Sequence, residues 1–192
     1  MIKRIQNVIL SPKTEWIEIE KENQSHADLF VKYVLPLSLI AAVAVFIGYG
    51  LIGVRVPFVG RFASVSFGMR HAIVRLVAGA GGVYVAAFII DLLAPSFNAV
   101  KNFDKSFSLV AHAYTPSFVA GIFLIFHSLA WLSMAAGIYS LVLLYMGLQP
   151  MMKVPAEKNV GYFVISLLVM IVVMVVLTAV MSAILIGSGS IL

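Results

Sequence analysis

Asp91 and His112 are the side chains in this chain best placed to do chemistry, each lying in an otherwise apolar stretch. An ionisable group in such a setting costs free energy unless it is paired, so it marks a candidate site by default. A carboxylate beside an imidazole could relay a proton, or each could simply satisfy the other's hydrogen bonds. The remaining histidines, His26, His71 and His127, lack the spacing that puts two ligands on one helical turn, and no carboxylate completes a zinc-type set. Cysteine is absent, which excludes disulfides, thiolate nucleophiles and cysteine metal sites. There is no GxSxG elbow and no paired-carboxylate constellation, and Asp91 is the one acid inside the spans predicted below. These residues point to no catalytic centre, no cofactor and no metal.

The elements that must position them are membrane spans. The chain is 62% hydrophobic and 11% charged, with a mean hydropathy of +1.07. A soluble domain could not hide that much apolar surface, so the lipid bilayer must be its solvent. About twenty apolar residues cross a bilayer as a helix. Hydropathy predicts an all-α, polytopic, five-helix bundle, residues 33–187, with spans at about 33–54, 71–94, 107–126, 132–148 and 162–186. Residues 107–148 would form one helix of about 63 Å, twice the hydrocarbon thickness, and must fold back near His127-Ser128. Residues 188–192 read as a short tail, flexible with the Gly187-Ser188-Gly189-Ser190 run before it.

Lys and Arg in the short loops set the orientation. With the amino terminus inside, Lys3, Arg4, Lys13, Lys21, Lys32, Lys101, Lys105, Lys153 and Lys158 are cytoplasmic, against Arg55, Arg61 and Arg70 outside. Nine against three predicts an inner-membrane, multi-pass protein, N-in and C-out. The net charge of +5 therefore reports topology and gives no reason to expect nucleic acid. In this frame Asp91 and His112 lie at similar depth on sequential helices, which predicts contact between them with a structural role.

Residues 1–32 read as a cytosolic amphipathic segment. Ile2, Ile5 and Ile9 share a helical face. Ser11-Pro12 then caps and opens a second helix, with Glu15 near its positive end. The pair is expected to lie on the membrane surface with Trp16 as interfacial anchor, and Trp131 reads as a belt residue at the opposite interface. The apolar run after Met1 is too short for a signal peptide.

Gly48-Tyr49-Gly50-Leu51-Ile52-Gly53 matches the dinucleotide pattern GxGxxG, but it ends an apolar span instead of linking a strand to a helix. Gly48, with Gly79, Gly81 and Gly82 in the second span, is expected to let helices approach closely. Tyr33-Val34-Leu35-Pro36 and Tyr114-Thr115-Pro116 form two similar proline sites, each a predicted kink with hydroxyls at hand for the freed carbonyl.

Taken in order, the chain offers Ser11-Pro12-Lys13-Thr14-Glu15-Trp16, Tyr33-x-x-Pro36-Leu37, a glycine-bearing second span, Ala113-Tyr114-Thr115-Pro116, and a long apolar last helix. This succession resembles bacterial members of the Yip-one (Ypt/Rab-interacting protein) domain family over nearly the whole chain. The resemblance implies five transmembrane helices, a cytosolic amino terminus and no catalytic centre. Eukaryotic relatives work in ER and Golgi membrane traffic with prenylated Rab GTPases. The acidic Asp-Leu-Tyr-Gly-Pro motif of those relatives is missing, and Phe97-Asn98-Ala99 stands where bacterial members carry a small-residue pair. The Rab-related role is therefore not carried over. The expected function is a non-enzymatic membrane protein that organises membrane, protein partners or further copies of itself. The alternative is a small-solute or lipid transporter, or a channel-like protein.

Overall fold

Polar caps decide where the helices begin. In the computed structural model, which describes residues 1–56 and 60–188, the first long helix starts at His26, where the Ser25 hydroxyl accepts the Asp28 N–H. Hydropathy alone placed that start at Tyr33. The second starts at Val65 behind Ser64, and the third at Phe103 behind Asn102, whose side chain accepts the Lys105 N–H. In each case a side-chain oxygen satisfies an otherwise orphan backbone donor and carries the helix past the apolar stretch.

Two short helices, α1 (Ile2–Leu10) and α2 (Pro12–Lys21), precede the bundle. The first span joins α3 (His26–Leu29), a π-turn at Phe30–Val34, α4 (Leu35–Phe46) and a second π-turn at Ile47–Ile52. A β-hairpin follows, with β1 (Val54–Val56) antiparallel to β2 (Gly60–Phe62). Helix α5 (Val65–Leu93) runs into a 3₁₀ turn at Ala94–Phe97. The third span is broken into α6 (Phe103–Ala113), α7 (Thr115–Val119) and a 3₁₀ stretch at Ala120–Ile125. Then come α8 (Ala130–Met152) and α9 (Ala156–Ser188). The tail from residue 189 lies outside the described residues.

Among the described residues four helices are long and apolar enough to cross a membrane, and the pair Phe103–Ala113 and Thr115–Ile125, bent by 45°, makes a fifth if it counts as one span. The chain is an all-α, polytopic membrane protein. Large apolar side chains such as Val74, Val77, Phe88, Met134, Ile138, Leu168 and Val172 stay exposed on the outer faces, as lipid requires.

The amino-terminal helices do not lie on the surface as independent anchors. They form a hairpin that climbs the side of α8. Glu20 pairs with Lys153 at the end of α8, 2.7 Å apart. Trp16 rests on Gly147, and the Tyr139 hydroxyl donates to the Ile9 carbonyl at 2.7 Å. From Lys153 to Tyr139 is fourteen residues, about 21 Å of helix. Trp16 is only 2% exposed and belongs to the main core with Val8 and Ile19. Its role as a lipid-facing anchor is thereby corrected, because protein takes up the apolar surface that lipid was expected to cover. Trp131, by contrast, is 62% exposed.

Small residues set the helix spacing. A Cβ on Gly48 would stand 2.4 Å from the Leu124 carbonyl oxygen, and one on Gly79 3.3 Å from the Phe118 ring. Gly82 is buried. Gly81 departs from expectation: nothing lies within 4 Å of its would-be Cβ, because it sits on the face of α5 turned from its neighbours. Gly53 ends the first span at φ +82°, a left-handed conformation that other side chains resist.

Two measurements follow from this packing. A Cβ at Gly147 would meet Leu109 Cδ1 at 2.5 Å and the Trp16 ring at 2.8 Å. Gly147→Ala should therefore lower stability by about 1–3 kcal/mol, while Gly81→Ala should be neutral or gain up to about 1 kcal/mol from helix propensity. Thermal denaturation in detergent compares the two, and equal melting points would remove the Trp16 notch from the account. The second concerns Glu20. The hydrogen bond from Lys153 holds its carboxyl below the ordinary value of 4.5; burial opposes this, and the charges of Lys153, Lys105 and Lys21 add to it. A depressed folded value means the stabilisation is present above pH 4.5 and fades as pH falls through the lowered value. The melting point of the wild type should exceed that of Glu20→Gln at pH 7 and converge with it in acid; a gap that widens in acid would contradict the sign.

Candidate functional site

Between the α1–α2 hairpin and the first span lies a cavity of about 430 Å³, whose lining includes Arg4, Glu22, Asp28, Lys32, Tyr33 and His112. The mouth carries Asp28 and Lys32, paired at 2.6 Å and well exposed. His112 is only 2% exposed. The cavity is thus polar and charged at the rim and aromatic at depth.

The hairpin wall is held by a network on Arg4. Its guanidinium donates to Glu15 Oε1 at 2.7 Å and also pairs with Glu22. Asn7 donates to the other Glu15 oxygen at 3.0 Å. Glu15 is 8% exposed, so these donors neutralise a carboxylate that would otherwise be costly to bury. Lys105 of α6 donates to the carbonyls of Glu20 and Glu22 and fastens the end of α2 to the bundle.

Both proline sites converge on the inner end of the cavity. Pro36 cannot bond the carbonyl one turn earlier, and the chain there widens into the π-turn at Phe30–Val34. Pro116 likewise cannot bond His112, and the third span breaks at Tyr114. The resemblance between the two sites becomes a physical contact, since the Tyr33 hydroxyl and the Thr115 hydroxyl lie 2.8 Å apart, both buried. Tyr114 is half-buried against the core. The Tyr33 ring lies against the His112 ring, with centroids 4.9 Å apart, and the Trp16 ring meets His112 edge-on at 6.5 Å.

Asp91 and His112 do not meet, contrary to the expected contact. No hydrogen bond or ion pair joins them. His112 Nδ1 instead bonds the Ser108 carbonyl of its own helix at 2.8 Å. Asp91 faces the other side of the bundle, near Tyr162 of α9, whose hydroxyl donates to the neighbouring Ile90 carbonyl at 2.5 Å. Asp91 Oδ1 is buried without a hydrogen-bond partner. The two residues occupy different faces of the bundle, and a similar position along sequential helices does not fix azimuth.

Two features were passed over among the expectations drawn from the sequence. Arg75 lies inside the second span, half-buried, with its guanidinium 4.0 Å from where a Cβ of Gly121 would stand. Its signal was plain: a basic residue in an apolar helix. At the opposite end of the bundle, His71 stacks on Tyr49 with centroids 4.9 Å apart, and His127 meets the same ring at 4.3 Å. Among the described residues no three metal-ligating side chains converge.

A broken third span, glycine-spaced helices and a folded amino-terminal hairpin define an α-helical, multi-pass membrane protein without a recognisable reaction centre among the described residues. The family model for the Yip1 domain matches residues 7–178, and the chain belongs to that family. No curated protein and no solved structure matches it.

The Arg4 network makes a direct prediction. Arg4→Gln leaves Glu15 buried with Asn7 as its remaining donor, and should cost about 1–3 kcal/mol. In a Trp131→Phe background Trp16 emission should shift to the red as the hairpin loosens. Brominated lipids should leave Trp16 of the unaltered hairpin unquenched, since protein covers it. Strong quenching would restore the surface-anchor placement.

Proposed function

We propose that this protein is a non-enzymatic integral membrane organiser whose working end is the cap formed by the hairpin and the cavity, facing the cytosol. It resides in the cell (inner) membrane with the amino terminus inside, as the nine-to-three charge bias supports. The single observation that carries the reading is the hairpin itself. A mobile tail has no need of a buried tryptophan, a clamped carboxylate and a tyrosine anchor. Fixing about twenty residues costs conformational entropy, which the burial of Val8, Trp16 and Ile19 offsets. The ordered cap presents Ile17, Glu18 and Lys21 on its outer side to protein partners or to a second copy. The bilayer covers the rest.

One observation favours a second reading. The 45° break in the third span and the π-turns in the first resemble the discontinuous helices of transporters, which place binding sites at such breaks. A small-solute or lipid transporter would need the cavity to open alternately to both sides.

Orientation and activity are tested separately. Because the chain has no cysteine, Lys101→Cys should react with an impermeant maleimide only after permeabilisation, and Ser128→Cys from outside intact cells. The opposite pattern overturns the orientation. A photo-crosslinker at Ile17 should give a discrete adduct that disappears when Trp16→Ala frees the hairpin. Solute flux in proteoliposomes above that of empty vesicles, without an adduct, would replace this reading by the transporter.

A further inference from the structure

The cavity's chemistry specifies a ligand. His112 has two ring nitrogens, and Nδ1 lies 2.8 Å from the Ser108 carbonyl oxygen, which can only accept. The proton of the neutral ring therefore sits on Nδ1, and Nε2 is left as an acceptor. His112 lines the cavity with 2% of its surface exposed, so a nearly buried imidazole offers a lone pair to whatever enters. A ligand that fits must bring a hydrogen-bond donor to that end.

The surroundings narrow the donor to an amine. The Tyr33 ring lines the same space beside His112, and an aromatic face attracts a cation. Glu22, paired with Arg4, lies on the wall and offsets that guanidinium's charge. An alcohol would satisfy Nε2 but gain nothing from the ring. A quaternary ammonium would gain from the ring but has no N–H for Nε2.

Elsewhere the lining offers the opposite charge. Lys32 has three donors and spends one on Asp28. Arg4 has five and spends two, on Glu15 and Glu22. Both cations keep donors to spare for an anion bound between them. Phosphate, with several acceptor oxygens, takes donors from a lysine and an arginine together more readily than a single carboxylate does.

We infer that this cavity binds a primary amine joined to a phosphate, with the ammonium donating to His112 Nε2 against the Tyr33 ring and the phosphate held by Lys32 and Arg4. Such a group occurs as the headgroup of an amino-phospholipid and as a free phosphorylated amine. The inference rests on reading the cap as the working end, and it assigns that end a ligand.

The experiment uses the full chain carrying Trp131→Phe in detergent, with Trp16 fluorescence as readout, since Trp16 touches the His112 ring. Phosphoethanolamine, phosphocholine and inorganic phosphate are titrated in turn. Phosphoethanolamine should saturate and bind about tenfold more tightly than either of the others, the loss expected for one unsatisfied buried acceptor or a missing charged group. His112→Leu should reduce the preference for phosphoethanolamine over phosphocholine to about threefold or less. Lys32→Ala, at the exposed rim where folding is not at stake, should weaken both ligands about equally and leave their ratio intact.

Native mass spectrometry separates the two sources. Retention of phosphatidylethanolamine over phosphatidylcholine, displaced by phosphoethanolamine, assigns the site to a lipid; binding of the soluble compound without lipid retention assigns it to a free metabolite. Equal affinity for phosphocholine and phosphoethanolamine overturns the proposal, as does the absence of any saturable response or a folded His112→Leu with unchanged preference. None of those failures touches the crosslinking result at Ile17, so the cap's role as an organiser stands or falls independently.

Discussion

The hydrogen bond between Tyr33 and Thr115 is the contact on which the amino-terminal face of the bundle depends. It joins the first and third spans at the two places where proline prevents an unbroken α-helix. In hydrocarbon each interrupted backbone needs a local remedy. The first span widens into a π-turn ahead of Pro36, and the third breaks at Tyr114 and tightens into 3₁₀ geometry beyond Val119. Two helices altered at the same level could drift apart; the paired hydroxyls, buried and isolated from water, fix their separation. His112, its ring tilted against that of Tyr33, takes its position from that bond and from Ser108, so the end of the cavity is set by the same contact.

Class and composition were legible in the sequence, because twenty-residue apolar stretches have one physical solution in a membrane. The start of each long helix was not. Ser25, Ser64 and Asn102 extend helices into polar sequence by capping, a signal that a hydropathy window averages away. The site was legible in its parts but not in its assembly. Tyr33, Pro36, Thr115, Pro116 and His112 all stood out by residue type, and only their convergence required coordinates. Asp91 shows the opposite failure. Its azimuth depends on helix rotation, which the sequence constrains only through the apolar stripe, and a span apolar all round has no stripe. Trp16 was misplaced for a related reason: an amphipathic helix beside a bilayer has two apolar neighbours to choose from, and Gly147 supplies a notch that hydropathy cannot see.

The charges of the cap obey a different economy from those in the spans. Glu20–Lys153, Glu18–Lys21 and Asp28–Lys32 are exposed pairs whose worth is small and falls with salt. Arg4–Glu15 is shielded, and removing either partner strands the other. The shielded pair holds the hairpin together, while its place on the bundle rests on the buried tryptophan, the Tyr139 anchor and Lys105, and the exposed pairs tune it. That division leaves the outer face free to vary without unfolding the hairpin.

The two ends of the bundle are packed with different side chains. At the end near the β-hairpin, backbone meets backbone: Gly68 faces Gly50 with a would-be Cβ 2.4 Å from the Gly50 Cα, Gly121 faces Ala41, and Gly48 faces the Leu124 carbonyl. Helices drawn that close by small residues gain van der Waals contact and exclude everything else. At the amino-terminal end the gap is filled first by large rings, Trp16, Tyr33, Phe107 and Tyr162, and then by the hairpin itself. What neither rings nor hairpin fill is the cavity. The chain has lined this polar recess with the charges and the imidazole that a purely apolar bundle would never need.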